Sequence, residues 1–524
     1  MSASNLRDFF HLIASNFWDI LPVALFLCVI LFLIARSFFK AADIDAFSPE
    51  KIKVGWFTIG MSLVATDVSL AFIIGSAGLG YTKGLAVGSY GWTASLVMIG
   101  VALYVLPRLM RVGIKTLPEY LELHFSPQIR LVVSLLFVFF IVAVVLSSVF
   151  YSFAFLIINL LNLESNWLFP MIWFIGCLSG GILFSSGIEK AMKVDVFIAL
   201  AMLAAGVFVM TLCVVKVGGF DVLVNHVPAS RLSSILPATD DYLPWTQVFL
   251  GGLWLLHFNY WAFHPPIIQK ALVASTLSDA QKGYLLAASI KIIVPFIFIL
   301  PGIAGLILYG DKVTNQDAIF PLILKDVLPI GFKGLVMVAF SATIISTTNA
   351  MLNSAASIFT LDIFQRFIKP ELSDELKKTV YRYSIIFCVV IAIVVAPYVS
   401  NFEHIFDLSQ KVRSIITPGL LITFIFALFF TRSSSTSAWI ALGGMIPVYF
   451  IVRYVFGQMA FVDLFGLNVM FLLIPVVLWT LIKPLKDPVN LKGKREIRFE
   501  RNLLVVTWSI FIVTAVLSIY LMFL

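Results

Sequence analysis

The sequence predicts an all-α membrane protein with about 14 transmembrane helices, and three observations carry that prediction. Of its 524 residues 60% are hydrophobic and only 12% charged, outside the usual range of soluble domains. Apolar runs of roughly 20 residues, the length that crosses the hydrocarbon, recur from end to end. The basic residues gather in alternate connecting segments, as they do in polytopic proteins.

Hydropathy places the spans near 17–36, 54–80, 86–107, 129–161, 166–186, 191–217, 243–263, 282–310, 329–365, 379–399, 404–430, 436–456, 465–483 and 502–523. The first run lacks a small-residue cleavage site and follows the amphipathic "NLRDFFHLIASNF", so it reads as a retained helix rather than a signal peptide. The loops after the odd-numbered spans hold 25 of the 36 basic residues, Lys190, Lys193, Lys270 and Lys282 among them, which makes those loops cytoplasmic. Both termini are then extracytoplasmic. The net charge of +8 follows from this placement and gives no reason to expect a nucleic-acid partner. The terminal run "KPLKDPVNLKGKREIRFER" reads as an ordinary positive-inside segment. Cys28, Cys177, Cys213 and Cys388 lie in apolar runs without metal-ligand spacing and are expected to be packed thiols.

Chemistry concentrates in two spans. In "SLVATDVSLAFIIGSAGLGY" Asp67 stands in apolar surroundings, where a charge costs several kcal/mol unless paired, protonated or hydrated. Gly75, Gly78 and Gly80 beside it suit either an unwound helix or the close approach of a neighbour. An interrupted helix frees carbonyl oxygens that a small hard cation can use. In "FSATIISTTNAMLNSAASIFTLDIFQ" Thr343, Ser346 and Thr347 share one helical face, and the hydroxyl density there exceeds what packing requires. A cation site is the expectation.

The stretches "SLVATDVSLAFIIGSAGLGY", "GIKTLPEYLELHF", "YWAFHPPIIQKALVASTLSDAQKG", "KIIVPFIFILPGI", "NSAASIFTLDIF" and "QKVRSIITPG", in that order, resemble the sodium/solute symporter family, most closely its sodium/sugar cotransporter branch. The resemblance implies a LeuT-type core of two inverted five-helix repeats, at 54–217 and 243–432. Residues 1–53 and 433–524 would then supply flanking helices, and 218–242 an external loop. It also implies a sodium site built from the carbonyls of Ala65 and Val68, the backbone of Thr343, and the hydroxyls of Ser346 and Thr347. Asp67 departs from the branch's asparagine: it either strengthens cation attraction or titrates, which would permit proton coupling.

For the solute, the resemblance implies Lys291 and Gln410 as polar contacts and Tyr260 as the inner gate, with Trp261 beside it. Phe72, Gly91 and His257 depart from the branch, and Gly91 replaces a sugar-binding glutamate. Arg413, one turn after Gln410, adds a planar donor fork suited to carboxylates; it either meets an acidic solute or pairs with Asp407. His257 and His264 have no third metal ligand near them in sequence, and His264 reads as a cytoplasmic-side hydrogen-bonding residue.

The function so implied is Na+-coupled import of a sugar or sugar-like solute, neutral or acidic, through the inner membrane, with Na+ as coupling ion, no cofactor and no enzymatic activity. A Na+- or H+-coupled importer of a carboxylate or amino acid is the alternative. A sensor would need a signalling module, and the chain ends at Leu524 just after its last helix. A simple channel would not need a solute pocket with an aromatic gate.

Overall fold

In a computed structural model, residues 17–38, 54–161, 163–183, 188–402, 405–457, 459–491, 493 and 502–524 are described. The amphipathic segment before residue 17, the basic run 494–501 and the Asp407 side chain lie outside the described residues. Hydrocarbon offers the backbone no hydrogen bonds, so apolar spans must bond internally as helices. Among the described residues the non-helical pairings are two isolated bridges, Val54 with Ala274 and Leu236 with Pro244.

Helix α1 is Phe17–Phe38, and α2 (Trp56–Asp67) and α3 (Leu70–Lys83) form a pair bent by 62°. Helix α4 (Leu85–Val112) leads through the short α5 (Leu117–His124) to α6 (Pro127–Leu161), α7 (Leu168–Leu183) and α8 (Ile188–Val217). Helices α9 (Gly252–Phe263) and α10 (Pro265–Leu272) meet at His264. They are followed by α11 (Leu277–Tyr309), α12 (Phe332–Ile368), α13 (Asp374–Asn401) and α14 (Ile405–Phe429). Helices α15 (Ser435–Phe456), α16 (Phe461–Ile482) and α17 (Leu503–Met522) complete the order.

The expected count of 14 spans is not reproduced. Ten described helices are long and apolar enough to cross a membrane, and the bent α2–α3 pair makes eleven. Two of the three spans not counted have local causes. Helix α7 has only 16 residues, and the region expected at 243–263 is divided by Gly251 into two short helices, the second ending at His264. The two prolines at 265 and 266 cannot donate into a continuing ladder, so α9 stops before them.

The centre of the bundle is α11, 33 residues long, which packs against α2, α3, α4 and α8. The Thr276 hydroxyl caps it by accepting the Asp279 N–H at 3.0 Å. Glycines on α3 serve close approach rather than unwinding, because α3 is continuous through them. A Cβ at Gly80 would stand 2.5 Å from the Ile299 carbonyl oxygen, and one at Gly78 would stand 2.8 Å from that of Gln316. The contact is reciprocal at Gly302 on α11, where a Cβ would sit 1.9 Å from the Ala77 oxygen. Gly302→Ala is therefore expected to push α3 off α11 and reduce the yield of monodisperse protein on size exclusion. Gly443→Ala, where a Cβ meets nothing within 4 Å, should leave the yield unchanged and serves as the control.

Packing of the cysteines is half as expected. Cys213 and Cys388 are buried, whereas Cys28 and Cys177 are exposed on helix faces turned outward. A thiol is apolar enough to suit a lipid-facing surface as well as a core. A second correction concerns Lys270: it belongs to α10 and is 5% exposed, so it is a core residue and not part of a loop. The segment 218–242, expected as an external loop, carries two short helices, and it is tied to α3 by Lys83, which pairs with Asp240 at 3.0 Å and with Asp241.

Candidate functional site: a helix break beside a buried polar cavity

The bend between α2 and α3 falls at Val68 and Ser69, one residue after Asp67. In a continuous helix the carbonyls of Ala65 and Val68 would accept from the N–H groups of Ser69 and Phe72. Here the Ser69 N–H donates to the Asp67 carbonyl at 3.0 Å, and the Phe72 N–H to the Ser69 hydroxyl at 3.3 Å. Ser69 thus caps α3 and draws the second donor away. The two carbonyls expected to face a cation are among those that lose their helical donors at the break.

Helix α12 packs against α2 and supplies the hydroxyls. Ser and Thr in helices ordinarily donate back to a carbonyl one turn earlier. Thr343 does so, its hydroxyl donating to the Phe340 carbonyl at 2.6 Å. Ser346 and Thr347, about 1% exposed, do not: neither hydroxyl oxygen has a hydrogen-bond partner. Buried polar atoms are nearly always satisfied, so such a pair marks a place for a ligand. The diverted carbonyls of α2 and the unpartnered hydroxyls of α12 are oxygen donors of the kind that suits a hard cation such as Na+; Thr347 lines the chamber beside the break, and Ser346 a smaller pocket with Asp195 and Lys270.

Next to the break lies a cavity of about 140 Å³. It is lined by Asp67, Phe72, Gly91, His257, Tyr260, Trp261, Lys291, Thr347, Gln410 and Arg413, so every residue expected at the solute site reaches one chamber. The Ala65 and Val68 side chains are buried and do not line it, as befits residues whose expected contribution is a carbonyl.

Charge within the cavity is arranged in a way the sequence did not disclose. Lys291 on α11 donates to Asp67 across the chamber in an ion pair whose side chains are each 9% exposed. The Lys291 ammonium also stands 5.1 Å from the Phe72 ring centroid and 5.6 Å from that of Trp261, so two aromatic faces flank the cation. Arg413 lies over the Tyr260 ring at 5.2 Å and the Phe140 ring at 5.7 Å. It makes no ion pair among the described residues, and its Nε is buried without a partner. Gln410 Oε1, Trp261 Nε1 and His257 Nε2 are likewise buried and unpartnered. Gly91 is more than a missing glutamate: a Cβ there would meet Pro295 Cγ at 2.5 Å and the Lys291 carbonyl at 2.8 Å, so α11 occupies the space that a longer side chain would need.

Two features were missed. His264 was expected to hydrogen-bond on the cytoplasmic side, yet it lines the cavity, stacks on Tyr260 with centroids 5.0 Å apart, and leaves both ring nitrogens unpartnered. Below the break, Lys270 donates to Asp195 at 2.8 Å, to the Ser62 hydroxyl at 2.8 Å and to Thr66, closing a buried cluster between α2, α8 and α10. Asp195 within an apolar run was the available signal, by the reasoning that singled out Asp67.

Discontinuous helices around a buried polar cavity define a secondary transporter. The family model for the sodium:solute symporter family matches residues 51–446, and the chain belongs to that family. It is 30% identical over 460 residues to the sodium/glucose cotransporter of Vibrio parahaemolyticus, covering 82% of this chain and 83% of that one. It is 28% identical over 450 residues to the uncharacterized symporter YidK of Escherichia coli, covering 83% and 78%. Among solved structures, the substrate-bound outward-open state of a Na+-coupled sialic acid symporter superposes with a TM-score of 0.78 at 18% identity, over 90% of this chain and 98% of that one. Mhp1, a nucleobase-cation-symport-1 family transporter, gives a TM-score of 0.56 at 15% identity, over 84% and 96%. The fold is thus the LeuT-type bundle of the sodium symporters, and the protein is a multi-pass Na+-coupled symporter, not an enzyme.

Proposed function

We propose that the protein imports a sugar-like solute bearing a carboxylate, together with Na+, across the inner membrane, with both termini extracytoplasmic. The observation that carries the solute class is Arg413: with Lys291 held by Asp67, it is the cavity-lining cation without an ion-pair partner among the described residues. A guanidinium in such surroundings favours a planar anionic acceptor. Phe72, Tyr260 and Trp261 offer faces for an apolar ring surface, while Gln410 and His257 offer groups for hydroxyls. The sodium/glucose cotransporter among the relatives supports the sugar-like part of this reading.

The cation is held by the carbonyls of Ala65 and Val68, the Thr343 backbone and the hydroxyls of Ser346 and Thr347. Binding there ties α2 to α12, and Thr347, which also lines the solute cavity, links ion to solute. Coupling follows if the solute binds the Na+-loaded, outward-open conformation more tightly than the alternatives. Tyr260 and Trp261, on the last turn of α9 before the His264 break, form the inner gate. The repeats 54–217 and 243–432 rock against one another about this centre.

The test is uptake into proteoliposomes under an inward Na+ gradient, comparing a labelled hexose with its hexuronate. Preference for the hexuronate is expected, and Arg413→Gln should remove about tenfold or more of it, the effect of one charge-assisted hydrogen bond. Preference for the hexose, unchanged in Arg413→Gln, would return Arg413 to a packing role against Tyr260 and Phe140.

A further inference from the structure

Away from the transport path, a cavity of about 490 Å³ lies among α1, α6, α7 and α12. Its walls are apolar, with Phe26, Phe153, Ile157, Leu178 and Met337 prominent. Lys333, Met337, Ser341 and Ile345 recur every fourth residue along α12, so the cavity follows that helix for about 18 Å at the ordinary helical rise. It is a long slot rather than a round pocket.

Its shape has a local cause. The start of α1 is fastened to the start of α12: the Asp19 carboxylate accepts the Gly331 N–H at 2.7 Å, and a Cβ at Gly334 would stand 1.8 Å from the Asp19 carbonyl oxygen. The helices touch at this end. The slot opens below the contact, beside the side chains of Val23 and Phe26.

Lys325 and Lys333 line the slot with Asp19. Neither lysine makes an ion pair among the described residues. Asp19 is engaged by Gly331, and Asp326, adjacent to Lys325, accepts from the Tyr309 hydroxyl at 3.2 Å. Lys333 stands at the α12 end where α1 begins, so an ammonium heads an apolar channel of acyl-chain proportions. Two lysines against the single carboxylate of Asp19 leave the head of the channel with an excess of positive charge, which complements an anionic headgroup over its own hydrocarbon tail.

We propose that this slot binds an anionic phospholipid, its phosphate between Lys325 and Lys333 and one acyl chain along α12. With the orientation proposed above, the lipid belongs to the extracytoplasmic leaflet. Its place against α12, several turns before Ser346 and Thr347 on the same helix, makes it a structural partner of the transporter core.

The experiment is native mass spectrometry of the full-length protein in detergent, titrated with phosphatidylglycerol or phosphatidylcholine of matched chains. Retention of phosphatidylglycerol at least tenfold above phosphatidylcholine is expected, with the preference abolished in Lys325→Ala/Lys333→Ala. Met337→Trp, which fills the slot and keeps both charges, should lose retention as well; it covers the case in which the lysine variant fails to fold. Glycerol 3-phosphate should not displace the lipid. Equal retention of both lipids, no retention of either, or displacement by glycerol 3-phosphate would each overturn the proposal.

Discussion

Asp67→Asn is expected to destabilise the protein by about 3–5 kcal/mol, because it leaves the buried Lys291 ammonium without its carboxylate. Both side chains are 9% exposed, so water in the cavity returns only part of the lost interaction. The two rings beside the ammonium, Phe72 and Trp261, return only part of that loss. Lys291→Met alone strands the opposite charge and should cost a similar amount. Combining Asp67→Asn with Lys291→Met removes the ion pair as a unit, and such replacements are often neutral for stability. The double variant should therefore recover the thermal midpoint of the detergent-solubilised protein. Transport should not recover with it, because the cavity loses its carboxylate and the Lys291 ammonium, leaving Arg413 as its one Lys or Arg side chain. A single Asp67→Asn variant as stable as the parent would sink this account and return the carboxylate to the Na+ site or to a proton path.

That pair marks the limit of what one sequence discloses. A carboxylate in an apolar span announces that it must be compensated, but the compensating group lies 224 residues away and is fixed only when α11 crosses α2. The same holds for Asp195 and Lys270, where the lysine resembles one more member of a positive-inside loop until α10 folds back against α2. Features set within one segment were legible. The span expected at 243–263 ends where the prolines at 265 and 266 stop α9, and the spacing of Thr343, Ser346 and Thr347 places them on one face. Glycines were legible only in part, since Gly78 and Gly80 signal backbone proximity without saying whether the helix unwinds or a neighbour approaches. Span boundaries were least legible where a helix is short or divided, because hydropathy averages over breaks.

Ser346→Ala/Thr347→Ala is expected to raise the Na+ concentration that half-activates uptake by about tenfold to a hundredfold, as loss of interactions with a charged group predicts. The protein should remain folded, since neither hydroxyl has a hydrogen-bond partner whose loss would leave another group stranded. Thr343→Val provides the discriminating comparison. The Thr343 hydroxyl already donates to the Phe340 carbonyl, so its proposed part in the site is the backbone alone, and its replacement should leave Na+ activation near the parent value. A general softening of α12 would instead move both variants together and shift the solute half-saturation with them. Measurement of Na+ activation in proteoliposomes at saturating solute separates the cases: an unchanged Na+ requirement in the double alanine variant would remove α12 from the cation site. A rise confined to that variant would leave the diverted carbonyls of Ala65 and Val68 as the residual ligands, holding Na+ at the bend but no longer joining α2 to α12.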